Sequence, residues 1–128
     1  MEVSEKRERD MVTIRPTLFI GSNGEKTEIE QFQNAVLRPI LKLQHTIIIS
    51  LVTDSISGSI KKNDKENKEA FSAFIKRHLS STLPLQNQLI GLVVGIMTQA
   101  ELINYLSEKK EFNRRIKQMI VERVVSTF

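Results

Sequence analysis

From Glu28 onward the sequence repeats apolar residues at steps of three and four, the spacing that places side chains on one face of an α-helix. One such stripe runs as far as residue 51: Ile29, Phe32, Val36, Ile40, Leu43, Ile47 and Leu51. A second row widens the stripe, which indicates that two neighbouring elements cover this helix: Leu37, Leu41, Ile48 and Val52. The pattern therefore favours a fold in which helices pack on helices.

The stripe continues for about 30 residues, or roughly 45 Å of helix, before the Ser-Gly-Ser sequence at 57–59 stops it. Because Pro39 lacks a backbone donor, we predict a long first helix that is kinked at Pro39. The sequence TIIISLV at 46–52 is rich in β-branched residues, and a buried strand is the competing interpretation. The continuing helical period favours the helix.

Four shorter helices are predicted after the first one. Apolar periodicity and helix boundaries place them at about 64–80, from Pro84 to about 96, and at about 109–126, with another between the last two. Thr98 and Glu101 form a T-x-x-E capping box at the start of that intervening helix. The apolar period of the last helix predicts its inward residues: Phe112, Ile116, Met119, Ile120 and Val124. The predicted fold is thus all-α, a compact bundle of about five helices.

Residues 1–27 differ from the rest of the chain. The sequence MVTIRPTLFI resembles a short strand, but Arg15-Pro16 interrupts it and no second strand is available to pair with it. We predict an extended or disordered N-terminal arm over residues 1–27, followed by a helical domain over residues 28–128.

Within this arm, GSNGEKT resembles a phosphate-binding loop. Such a loop requires G-x-x-x-x-G-K-[ST], in which successive backbone amides surround the phosphates. Here two residues separate Gly21 from Gly24, and Glu25 precedes Lys26, where its carboxylate would repel phosphate. We interpret the segment as a surface turn.

Composition excludes several classes of protein. The chain has no Cys, which excludes disulfides, thiolate catalysis and cysteine-based zinc sites. The charged N-terminus is unlike a secretory signal, and LIGLVVGIM, the longest continuous apolar run, is about half of what a bilayer requires. No catalytic motif is present, and we expect a soluble, cytoplasmic protein without a cofactor and without a membrane partner.

Two groups of basic residues are candidate binding sites. The last helix carries a basic face, predicted to bind nucleic acid or another polyanion: Lys110, Arg114, Arg115, Lys117 and Arg123. Glu108, Glu111 and Glu122 are interleaved with it, which favours a solvated face instead, and Glu111 is predicted to form an i,i+4 ion pair with Arg115. On the first helix, Arg38, Lys42 and His45 form a small basic edge that could bind an anion or contact a neighbouring helix.

Three segments together resemble a family of small, all-helical bacterial proteins, some of whose members are labelled glyoxalase-related: FQNAVLRPILKLQH, LQNQLIGLVVGIMTQAELINYL and NRRIKQMIVERV. The resemblance covers about residues 28–126 and implies that TIIISLV and LIGLVVGIM are helical. The label implies a metal site with His and Glu ligands between βαβββ units. Neither pattern is present in this sequence, so no catalytic residue is carried over.

Three functions remain open from the sequence. The first is a non-enzymatic domain that acts through protein contacts as a homo-oligomer, a dimer, because five helices can hardly cover so much apolar surface. The second is polyanion binding by the last helix. The third, which we disfavour, is a metal-dependent or glyoxalase-like enzyme centred on Arg38 and His45.

Overall fold

The structure, a computed structural model, describes residues 2–16, 27–57 and 67–128. Every regular element in these ranges is a helix, which confirms the predicted all-α class. The helices are α1 (Glu2–Thr13), α2 (Glu28–Leu43), α3 (His45–Ile56), α4 (Lys68–Ser81), α5 (Leu83–Val94), α6 (Gln99–Ser107) and α7 (Lys109–Thr127). The predicted turn at Gly21 to Lys26 lies outside the described residues.

Seven helices, rather than about five, are thus present in the described ranges, and one of the two extra helices arises from division of the predicted long first helix. Helix α2 contains a π-helical segment, Gln33–Leu37, in which the Arg38 N–H donates to the carbonyl of Gln33. This wider turn accommodates Pro39, which has no N–H to donate to the preceding turn. The prediction of a kink at Pro39 is therefore wrong.

The chain bends five residues later, at Gln44, where the axes of α2 and α3 differ by 67°. Gln44 leaves the helical conformation, with φ −91° and ψ 5°, and its Nε2 donates to the carbonyl of Leu92 on α5 at 3.1 Å. The π-helical turn and this bend shift the apolar register. Leu43 and Ile47 of the predicted stripe are 37% and 50% exposed, whereas the second row is buried or nearly so.

Helix α7 lies at the centre of the bundle and contacts α2, α3, α4, α5 and α6. The five apolar residues predicted to point inward from it are all buried: Phe112, Ile116, Met119, Ile120 and Val124. The Phe112 ring lies between two other rings, with centroid distances of 4.6 Å to Phe32 and 6.3 Å to Tyr105. This aromatic cluster joins α2 and α6 to the central helix.

The N-terminal arm is the second correction, because Glu2–Thr13 forms helix α1 instead of an extended segment. Glu, Lys and Arg are good helix formers, so the charged composition is compatible with a helix. Polar contacts hold α1 against the junction of α5 and α6. Arg7 donates to the carbonyls of Gly95 and Met97, both at 2.9 Å.

Among the described residues, no single helix is both long enough and apolar enough to cross a membrane. Helices α2 and α3 pass that test only as a bent pair, by length and composition alone. Leu37, Ile48 and Val52 of this pair lie in the core with no exposed surface.

Candidate functional site

The basic face of α7 is built around one shared carboxylate. Arg114 Nη2 and Arg115 Nε lie 2.7 Å and 2.9 Å from the same Glu111 oxygen, which includes the predicted ion pair between Glu111 and Arg115. Hydrogen bonds from Arg114 and then Arg115 lower the pKa of Glu111 to about 2. Because one carboxylate serves two guanidinium groups, the cluster keeps a net positive charge.

A groove of about 840 Å³ opens between α4 and α7, and we call it the basic groove. Among the described residues that line it, four are cations and none is a carboxylate: Lys76, Arg77, Arg114 and Lys117. Ser80, Ser81 and Gln118 add hydrogen-bonding groups, while the buried side chains of Leu79 and Val121 form an apolar floor. The groove is thus suited to an anion that covers both polar and apolar surface.

Helix periodicity explains why these side chains meet. On α4, residues four apart lie on the same face, which aligns Lys76 with Ser80 and Arg77 with Ser81. On α7, Arg114, Lys117 and Gln118 follow the same rule. Residues 61–82 and 108–128 each contain six basic and three acidic side chains, so each segment has a basic excess. Only the contact between α4 and α7 brings the basic residues of the two segments together.

A smaller cleft of about 240 Å³ lies on the other side of Arg114, and we call it the polar cleft. Its lining is Gln33, Arg38, Arg114, Arg115, Gln118, Met119 and Glu122. The π-helical turn of α2 supplies Gln33, whose Oε1 accepts a hydrogen bond from Arg115 Nη1 at 2.8 Å. Arg38 Nε donates to Asn34 Oδ1 at 2.8 Å.

The predicted basic edge of the first helix is only partly assembled. His45 Nδ1 lies 3.2 Å from Arg123 Nη1, so the imidazole faces α7 and not Lys42. Burial, and to a lesser extent the nearby charge of Arg38, lower the pKa of Arg123. Lys42 is exposed on α2 and Lys110 is exposed on the first turn of α7, and neither lines the basic groove or the polar cleft.

The two imidazoles are engaged in hydrogen bonds between helices. His78 Nε2 lies 2.6 Å from Ser55 Oγ, and its ring stacks on Phe74 at a centroid distance of 6.2 Å. This pair joins α3 to α4. Across the part of the chain that the structure describes, no three His, Asp or Glu side chains are arranged to share a metal ion.

No protein-family model matches the chain, and no curated protein or solved structure is significantly similar to it. The fold and the sites above define it as an all-α bundle whose central helix α7 lines the basic groove on one side and the polar cleft on the other.

Proposed function

We propose that the protein binds the phosphate backbone of a nucleic acid in the basic groove. The observation that carries this proposal is the lining of the groove, to which α4 and α7 contribute four cations and no acid within the part of the chain that the structure describes. A cationic groove without carboxylates attracts phosphates and releases their counterions.

The dimensions of the groove fit a short stretch of backbone. Arg114 and Val121 are seven residues apart, which corresponds to roughly 10 Å along α7. One strand of duplex DNA places about three phosphates over that length. Because the described residues that line the groove include no aromatic ring, they offer bases nothing on which to stack. We infer contact with the backbone rather than reading of the bases.

Fluorescence anisotropy with a labelled DNA duplex over a series of salt concentrations tests the proposal. For contacts from four cations we expect the logarithm of the binding constant to fall with the logarithm of the salt concentration with a slope of about −3 to −4. The double variant R77Q/K117Q removes one cation from each helix. It should weaken binding at least tenfold at low salt and make the slope shallower by about 2.

The double variant K6Q/R9Q is the matched control. It removes the same two charges from exposed positions on α1, so the net charge of both variants is identical. If K6Q/R9Q weakens binding as much as R77Q/K117Q does, the interaction reflects bulk charge and the groove is not the site. Absence of binding by the wild-type protein at low salt would also reject the proposal.

The predicted self-association is a second candidate, favoured by the exposed apolar side of α6. Ile103 and Leu106 are 69% and 53% exposed, and residues three apart are neighbours on a helix surface. We propose that a second copy of the chain covers them in a homodimer. Sedimentation velocity should show a dimer, and the variant I103S/L106S should dissociate it. The control variant L83S, which changes an exposed leucine on α5, should leave the dimer intact. A wild-type monomer throughout the micromolar range would contradict this proposal.

A further inference from the structure

An arginine and a glutamate both line the polar cleft but form no ion pair with each other. Among the described residues, no ion pair includes Arg38 or Glu122. Arg38 donates through Nε to Asn34, which leaves its two terminal nitrogens without a partner in the described ranges. Glu122 accepts one long hydrogen bond, from Gln118 Nε2 at 3.5 Å. The cleft therefore presents an uncompensated cation and an uncompensated anion.

Two contacts between helices fix the register of the walls of the cleft. Arg115 Nη1 donates to Gln33 Oε1 at 2.8 Å, and Arg123 Nη1 lies 3.2 Å from His45 Nδ1, just beyond the end of α2. Residue numbers rise together from the first contact to the second, so α2 and α7 run side by side in the same direction.

The charged residues lie between these two contacts. This part of α2 contains Arg38, and the matching part of α7 contains Gln118 and Glu122. The cleft between them measures about 240 Å³, which is below the range of about 300–1,000 Å³ that is typical of sites for drug-sized ligands. A small molecule that carries charges of both signs would satisfy both walls.

The charge balance at the cleft specifies the net charge of such a ligand. Three arginines line the cleft together with Glu122. Two of them, Arg114 and Arg115, share the carboxylate of Glu111. Three positive charges thus meet two negative charges, and one positive charge is left over. A ligand with two carboxylates and one ammonium group has a net charge of −1 and would balance it.

We propose that the polar cleft binds a small amino acid with a second carboxylate, a ligand of the aspartate class. The terminal nitrogens of Arg38 bind one carboxylate as a pair. Arg115 Nη2, which has no partner among the described residues, donates to the second carboxylate, and Glu122 accepts from the ammonium group. Neither Arg38 nor Glu122 lines the basic groove, so this proposal does not rest on nucleic-acid binding.

Three related ligands test the proposal. L-aspartate carries all three charged groups, succinate lacks the ammonium group, and L-alanine lacks the second carboxylate. Each is titrated at pH 7 into the ¹⁵N-labelled protein, with chloride adjusted to hold the ionic strength constant, and nuclear magnetic resonance follows the side-chain amides of Gln33 and Gln118, which line the cleft. L-aspartate should give saturable shifts and should bind at least about tenfold more tightly than either of the other two, the factor expected for one charge-assisted hydrogen bond.

Succinate is the decisive comparison, because its two carboxylates are ionised at pH 7 and it has more negative charge than L-aspartate. A site that reads only negative charge would bind succinate at least as well as L-aspartate, and that result would overturn the proposal. Absence of a saturable response to L-aspartate, or equal binding of L-alanine, would also overturn it.

Two variants assign the two walls of the cleft. Arg38 and Glu122 are both exposed, so R38Q and E122Q should fold normally. R38Q should weaken binding of L-aspartate at least about tenfold, whereas E122Q should remove the preference for L-aspartate over succinate. The matched control K42Q removes one exposed charge from the same helix, outside the cleft, and should bind L-aspartate like the wild-type protein. Unchanged binding in R38Q, a preserved preference in E122Q, or an equal loss in K42Q would overturn the proposal.

Discussion

Replacement of Glu101 by Gln should release helix α1 from the bundle. Arg15 binds both carboxylate oxygens of Glu101 at 2.7 Å and the carbonyl of Ile96 at 2.8 Å. The side chains of Arg15 and Glu101 are only 6% and 18% exposed. Burial raises the pKa of Glu101, but hydrogen bonds from Arg15 and the Thr98 N–H, with the charge of Arg15, outweigh it and lower the pKa below 4.5.

The size of the effect follows from the burial of this pair. Exposed ion pairs contribute less than about 1 kcal/mol, whereas breaking a fully buried pair costs about 3–5 kcal/mol. The Arg15–Glu101 pair lies between these limits, so E101Q should cost about 2 kcal/mol. Glutamine can still complete the capping box with Thr98, so loss of the cap is avoided; E101A should cost about 1 kcal/mol more.

The loss should be confined to the docking of α1, because no apolar side chain from residue 4 to residue 16 is buried. Hydrogen exchange read by mass spectrometry should therefore accelerate about 30-fold in α1, the factor that corresponds to about 2 kcal/mol. Amides of α7 should exchange as in the wild-type protein. The exposed Glu5 of α1 allows a matched control, E5Q. Unchanged exchange in α1 of E101Q, or equal acceleration in α7, would refute the reasoning.

Three further predictions concern pH and stability. Because folding lowers the pKa of Glu101, the ionised carboxylate stabilises the docking of α1 above about pH 4.5, and this stabilisation is lost as the pH falls through the pKa of the folded state. Hydrogen exchange of α1 should therefore accelerate at low pH, and E101Q should abolish this pH dependence. Phe112→Ala should destabilise the fold by about 3–5 kcal/mol in urea denaturation, because its ring is 1% exposed between Phe32 and Tyr105. Asn67→Ala should cost about 1 kcal/mol in the same assay, because the Asn67 side chain accepts two backbone N–H bonds at the start of α4.

Three features that depend on residues close in sequence were predicted correctly. The capping box of Thr98 and Glu101 is present, and so is the ion pair of Glu111 with Arg115. The inward face of α7 also agrees with its apolar period. In each case the interacting residues are three or four positions apart, so helical geometry alone determines the contact.

The features that depend on distant residues were not predicted. The bend at Gln44 is supported by a hydrogen bond to Leu92, and the docking of α1 depends on Glu101, 86 positions from Arg15. Lys76 and Arg77 join the basic groove only because α4 packs on α7. No periodicity within one helix reveals these contacts, because each is set by how two helices are arranged.

The acidic residues of the last helix weigh less against anion binding than their number indicates. Residues 108–128 contain six basic and three acidic side chains, and a charge average would give a mixed, solvated surface. A helix turns by about 100° per residue, however, so Glu108, Glu111 and Glu122 all fall to one side of Arg114, away from Lys117. None of these three glutamates lines the basic groove. Glu111 is bound by Arg114 and Arg115. The groove therefore has the sign of its own lining rather than the average sign of α7, and that lining is what a phosphate would meet.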